Sequence, residues 1–214
     1  MQFPWPETAP SAQDLLSWLH RVRGNMGPFE YLLLFAVVIL GLAVCDLAMS
    51  LHRLLSAGER VQWDWIAPLA ACVAFLKIVT QWWSWFGVKK IAAGLTWEMF
   101  LGVLAATVML FLLAAAALPD EAPHDARIKL AAYWTGVSRR YWILFLSHWV
   151  VLNVVDVWAQ VQIQGARWNP LEPAYLLAPV IISLIIVKNR WWQTVCLVGL
   201  AGLYLAQSFG RSLA

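Results

Sequence analysis

Between Met99 and Pro119 the chain reads MFLGVLAATVMLFLLAAAALP, without one charged side chain. At about 1.5 Å of rise per residue a helix of this length reaches about 30 Å, the thickness of a bilayer's hydrocarbon core. The run stops at Pro119-Asp120-Glu121, where a helix in lipid would meet water. Its neighbours repeat the pattern. Working outward, apolar spans are predicted at Phe29–Leu51, Trp65–Phe86, Trp97–Leu118, Tyr141–Gln162, Pro173–Val187 and Trp192–Phe209. Six crossings are therefore expected, with Lys188-Asn189-Arg190 leaving almost no loop before the last.

Composition supports the same class. The 214 residues are 62% apolar and 13% charged, and mean hydropathy is +0.67. A soluble domain carries about 25% charged residues, so this chain cannot cover itself with a wet surface. An ordinary soluble enzyme, a disordered chain and a nucleic-acid binder are excluded. The net charge of +3 calls for no polyanionic partner. Fifteen tryptophans cluster around the span ends, as an interfacial aromatic belt requires. Cys45, Cys72 and Cys196 sit inside apolar runs without paired spacing and read as buried small hydrophobes. The start, Met1-Gln2-Phe3-Pro4-Trp5-Pro6, lacks the basic residues of a secretory signal.

Two amphipathic segments are expected at the membrane surface. Ser11-Ala12-Gln13-Asp14 has the form that opens helices, and Leu15, Trp18, Leu19 and Val22 follow at helical spacing. The stretch from His124 to Arg140 sets Ile128, Ala131 and Ala132 against Arg127, Lys129, Arg139 and Arg140. The chain thus divides into an N-terminal segment (1–28), a first three-helix unit (29–118), a connector (119–140) and a second three-helix unit (141–214).

The two units resemble each other. Ala67-Pro68, Lys77 and Trp82-Trp83 are answered by Ala178-Pro179, Lys188 and Trp191-Trp192, each lysine nine residues after its proline. Upstream, Leu42–Leu47 aligns with Leu152–Val157, pairing Asp46 with Asp156. Three crossings are odd, so a duplicated unit starts from the opposite face. The expected fold is an all-α bundle of two inverted repeats, an architecture common among transporters. Basic residues divide six against eight between the faces: Arg21, Arg23, Lys89, Lys90, Arg167 and Arg211 against Arg53, Arg60, Arg127, Lys129, Arg139, Arg140, Lys188 and Arg190. That balance leans toward an external N-terminus.

Ionisable groups at membrane depth cost about 2.5–3.5 kcal/mol each on insertion scales, so they are functional candidates by default. Lys77 lies near the middle of the second span and Asp46 near the end of the first. The repeat supplies their counterparts, Asp156 and Lys188. Gln81 stands one turn beyond Lys77, and Asn153 shares a face with Asp156. A polar track of Asp46, Lys77, Gln81, Asn153, Asp156 and Lys188 is the expected ion-binding pathway. The same charges would also serve as ion pairs that fix helix register. Of the histidines only His148 falls inside a span, where a packed, hydrogen-bonded role outweighs ligation. Gly41 with Cys45, and Ala70 with Ala74, have the spacing of close helix contacts.

No nucleophile elbow, zinc-protease signature, P-loop or dinucleotide fingerprint occurs. No enzymatic activity, metal or cofactor is expected.

Asp46-Leu47-Ala48-Met49-Ser50-Leu51-His52-Arg53-Leu54-Leu55, followed by Trp63-Asp64-Trp65 and Trp82-Trp83, resembles a group of uncharacterised bacterial multi-pass inner-membrane proteins. Pro119-Asp120, Asp125, Tyr133 and Arg139-Arg140 are similar to that group's middle connector. The likeness covers roughly residues 30 to 145. It implies a multi-pass fold in the inner membrane and supplies no activity. The expected function is a small channel or transporter for a cation or proton, its pathway between the repeats. The alternative is a non-catalytic scaffold or regulatory subunit. Beyond the lipid bilayer, the expected partners are a second copy or another membrane protein, and no nucleic acid.

Overall fold

The computed structural model describes residues 13, 28–86, 96–120, 127–164 and 177–212. Among them six α-helices follow in order: α1 (Pro28–Ala57), α2 (Ile66–Phe86), α3 (Trp97–Ala115), α4 (Leu130–Gln164), α5 (Leu177–Ile186) and α6 (Arg190–Ser212). A short 3₁₀ turn, Gly58–Arg60, leads out of α1. Two strands of two residues each, β1 (Val61–Gln62) and β2 (Ile128–Lys129), complete the set. Gly58 takes a φ of 54° at the end of α1, a left-handed conformation that glycine adopts without a Cβ clash.

Local chemistry explains where the helices begin. Pro28, Pro68 and Pro179 all fall in first turns, where no intrahelical acceptor awaits the missing N–H. The Asp64 carboxylate accepts from the Ile66 N–H at 3.0 Å and opens α2. The Thr96 hydroxyl accepts from Met99 N–H at 3.4 Å and opens α3. Asn189 accepts from Trp191 N–H at 2.9 Å and opens α6. At the far end of α3 the Tyr133 hydroxyl meets the carbonyls of Ala116 (3.2 Å) and Leu118 (2.9 Å), oxygens that the ended helix leaves without an internal donor.

Four helices are long and apolar enough to cross a membrane, within Glu30–Arg60, Ile66–Ser84, Trp97–Ala115 and Leu130–Val161. The protein is therefore an all-helical membrane protein. Six spans were expected. The described part of α5 is a shorter apolar helix, and α6 carries Arg190, Gln193 and Gln207 among its apolar residues and does not join the four.

β1 and β2 pair in parallel, Val61 with Ile128 and Gln62 with Lys129. They place the α1–α2 and α3–α4 junctions at one end of the bundle, termed here the charged end. The Arg190–Asp64 ion pair puts the α5–α6 turn there too. Successive helices thus alternate in direction. α1 and α4 have 30 and 35 residues, about 45 and 52 Å by the helical rise, and outlast a bilayer core of about 30 Å.

Helix α4 packs chiefly on α3 and α5, α3 also on α1, and α2 on α6. Within residues 29–118 the first and third helices run together. In the second half α4 and α6 make few backbone approaches. Ala70 and Ala74 are buried at helix contacts, whereas Gly41 and Cys45 are exposed, and nothing stands near a Cβ built on Gly41. Cys72 is exposed as well and only Cys196 is buried. The cysteines expected inside thus lie mostly on the outer faces, where a small apolar side chain suits lipid equally well.

The connector also differs from expectation. No helix ends at residue 140; α4 runs unbroken from Leu130, so Ala131, Ala132, Arg139 and Arg140 form its first turns. The amphipathic stretch of residues 11–23 lies outside the described residues, apart from Gln13.

Candidate functional site

Three residues of α4, each seven apart, turn polar atoms inward and reach three different helices. A spacing of seven drifts only about 20° around a helix, so Trp134, Tyr141 and His148 form one stripe. Trp134 Nε1 donates to Gln193 Oε1 of α6 at 2.7 Å. The Tyr141 hydroxyl donates to the Ala70 carbonyl of α2 at 2.9 Å. His148 Nδ1 meets the Ala106 carbonyl of α3 at 2.9 Å. All three side chains are buried, Tyr141 and His148 completely. The next residue on the stripe, Val155, lies against Gly102, where an added Cβ would come within 2.4 Å of its Cγ2. Gly102 and Ala106 are four apart, so α3 presents a small-residue face on which α4 rests closely.

Lys77 points into the same region. Its ammonium sits over the Tyr204 ring of α6, 5.3 Å from the centroid, a cation–π geometry. Its charge also acts on the His148 imidazole. Counted along the helices at about 1.5 Å per residue, His148 lies about 12 Å below Arg140. Lys77 lies about 18 Å below Trp65, and Tyr204 about 21 Å below Arg190. Each of the three groups lies near the middle of its own helix, away from both ends.

The imidazole tautomer follows from its partner. A carbonyl oxygen only accepts, so Nδ1 carries the hydrogen, and Nε2 of the neutral ring is a bare acceptor. That Nε2 is buried and has no hydrogen-bond partner among the described residues. Trp142 Nε1 and Thr194 Oγ1 share this condition.

The expected polar track comes together only in part. Lys77 is at the centre, and Gln81 follows it one turn on, buried, with its amide 3.5 Å from Ser84 Oγ. Asp46 does not meet Lys77. It shares a face of α1 with Ser50 and Arg53, and the charges that act on it are those of Asp120 and Arg53. Ser50 Oγ donates to Asp120 Oδ1 at 3.2 Å, and Arg53 to the Asp120 carbonyl at 2.5 Å. Asp46 therefore belongs to a polar cluster toward the charged end.

Asn153 donates to its own helix, at Trp149 O, 2.7 Å away. Asp156 is exposed and accepts from Gln160 at 2.8 Å. Lys188 is exposed in the α5–α6 turn, at the charged end, whereas Asp156 lies about 39 Å down α4 from Leu130. The pair proposed by the repeat spans opposite ends of the bundle and does not form.

The residues that sequence reasoning missed are Tyr141, Tyr204 and the Trp134–Gln193 pair. The seven-residue spacing of Trp134, Tyr141 and His148 carries the signal, and so does the Gly102–Ala106 step facing it. The cavities described are apolar grooves on the outer faces. One, of about 320 Å³, runs between α1 and α2 beside Leu47, Ala48, Pro68 and Phe75. The other, of about 250 Å³, runs between α3 and α4 beside Gly102, Val151 and Trp158. Among the described residues no three His, Cys, Asp or Glu side chains stand together in a metal-binding group. Comparison with known protein families, with curated proteins and with solved structures finds no match to this chain.

Proposed function

We propose that this protein is a small multi-pass transporter or channel of a bacterial inner membrane, with its pathway through the bundle centre at Lys77 and His148. The observation that carries the reading is a lysine and a fully buried histidine near the middles of α2 and α4, on their inner faces. Intramembrane ionisable groups that face a bundle interior mark ion and proton routes. The outer carboxylates Asp46 and Asp156 fall outside this route, so the pathway is anchored on a basic centre. Protons suit that centre better than metal cations, because an imidazole nitrogen takes up a proton and no carboxylate of the described residues stands there to hold a metal.

In this reading α5 and α6 complete six crossings, and the halves 29–118 and 141–214 are inverted repeats. Support comes from the alternating helix directions and from Pro68 and Pro179 in matching first turns of α2 and α5. The unequal packing of the two halves is then divergence after duplication, concentrated in α6.

The test is flux in proteoliposomes for protons, sodium, potassium and chloride, comparing wild type with Lys77→Met. Flux of one ion that the substitution changes at least tenfold is the expected result. No flux of any ion from folded protein overturns the reading.

A further inference from the structure

We infer that His148 is a one-port proton-binding station, taking up and releasing its proton at Nε2 alone. This inference rests on the transport reading above and names its substrate. A histidine that passes protons as a wire receives at one ring nitrogen and gives from the other. Here the Nδ1 hydrogen is held by the Ala106 carbonyl at 2.9 Å, an acceptor that cannot carry the proton away. Nε2 is left as the working atom, fully buried and without a partner among the described residues.

The surroundings make the loaded ring a costly, transient state, because it is buried beside the Lys77 ammonium with no carboxylate of the described residues to pair it. On α2 the group facing the ring's region is Lys77, whose charge acts on the imidazole. On α3 the groups are the Ala106 carbonyl and the Thr107 hydroxyl, which donates to Val103 O at 2.8 Å. The one ionisable residue of α3 is Glu98, about 12 Å away along the helix. α5 has none between Leu177 and Ile186. α6 contributes Tyr204, whose ring lies under Lys77, and α4 itself contributes Tyr141. No carboxylate faces the imidazole from these elements.

The step balances simply. A hydronium ion reaching Nε2 gives up one proton, an N–H bond forms, and water leaves. Release returns the proton to water and restores the lone pair. Because both events use one nitrogen, net movement requires Nε2 to face first one side and then the other. Loading also places an imidazolium beside the Lys77 ammonium, and their repulsion bears on the contact of α2 with α4. The device is thus a carrier, in which protonation and helix packing are coupled, rather than a continuous wire.

The experiment uses the full chain in proteoliposomes holding a trapped pH dye, with protons driven by a potassium diffusion potential. His148→Asn keeps an N–H in reach of Ala106 O and removes Nε2. Wild type is expected to take up protons, and His148→Asn to lose at least tenfold while unfolding within a few degrees of wild type. Proton uptake by His148→Asn at the wild-type rate overturns the station and leaves the transport reading standing. Absence of flux for every ion in folded wild type overturns the transport reading itself. A second measurement does not depend on the variant's folding: ¹⁵N spectra of histidine-labelled wild type. These should show one buried ring protonated at Nδ1 and bare at Nε2, and the opposite tautomer overturns the one-port assignment.

Discussion

Asp64 and Arg190, 126 positions apart, form an ion pair that joins the start of α2 to the start of α6. The same Asp64 carboxylate accepts from the Ile66 N–H at 3.0 Å. One side chain therefore caps one helix and ties down another. The two roles separate by substitution. Asparagine caps about as well as aspartate, whereas alanine costs about 1 kcal/mol at such a position. Arg190 is 54% exposed, so the ion pair itself contributes at most about 1 kcal/mol. Asp64→Asn should lose little stability and Asp64→Ala about 1 kcal/mol more, read by thermal unfolding in detergent. Raising the salt should narrow the gap between wild type and Asp64→Asn, while leaving that between Asn and Ala.

The Trp134–Gln193 bond is of another kind, because both partners are buried, at 3% exposure each. Trp134→Phe strands the Gln193 amide oxygen and should cost about 1–3 kcal/mol from the unmet acceptor, beyond the lost indole packing. Gln193→Leu strands the indole N–H and should cost a similar amount. The double variant should be less damaged than the sum of the two. A thermodynamic cycle over the four proteins measures that coupling, expected at about 1 kcal/mol or more. Strict additivity would show that the 2.7 Å contact carries no energy.

How much of this was legible beforehand depends on the kind of signal. The helix starts at Pro28, Thr96 and Asn189 follow from local chemistry and were readable to within a few residues, whereas α4 begins at Leu130, well before the expected Tyr141. Lys77 was readable as well, because charge at membrane depth stands out against apolar sequence. Its partners were not. Asp46 was set with Lys77 by depth along adjoining spans and Asp156 with Lys188 by repeat arithmetic, and both leave open which way a side chain turns around its helix. On α1 the Asp46–Ser50–Arg53 face turns to Asp120, and on α4 Asp156 turns outward. His148 was visible, yet its stripe with Trp134 and Tyr141 needs one helix that begins at Leu130, whereas the span was expected to begin at Tyr141.

Gly102 offers a steric test of the α3–α4 contact. A Cβ there would meet Val155 Cγ2 at 2.4 Å, and valine is stiff at χ1 and yields poorly. Gly102→Ala should destabilise the bundle by about 1–3 kcal/mol through overpacking, despite alanine's better helix propensity. Val155→Ala removes the obstacle. Adding it to Gly102→Ala should restore much of the loss, and the pair compared in one unfolding series decides the matter. Equal damage with and without Val155 would place the strain elsewhere.

The last prediction separates the inner charge from the outer ones. Asp156 is exposed beside Gln160, and its removal touches none of the contacts made by Lys77 or His148. In proteoliposomes Asp156→Asn should therefore conduct within about twofold of wild type, a change under about 0.5 kcal/mol. Lys77→Met deletes the ammonium over the Tyr204 ring and the charge that acts on His148. Its flux should change at least tenfold, more than about 1.4 kcal/mol in the barrier. Methionine keeps most of the stem's apolar contact, so the effect reports charge more than packing. If instead Asp156→Asn abolished flux while Lys77→Met left it intact, the route would run along the outer face of α4. Lys77 and His148 would then be buried groups that hold the bundle together.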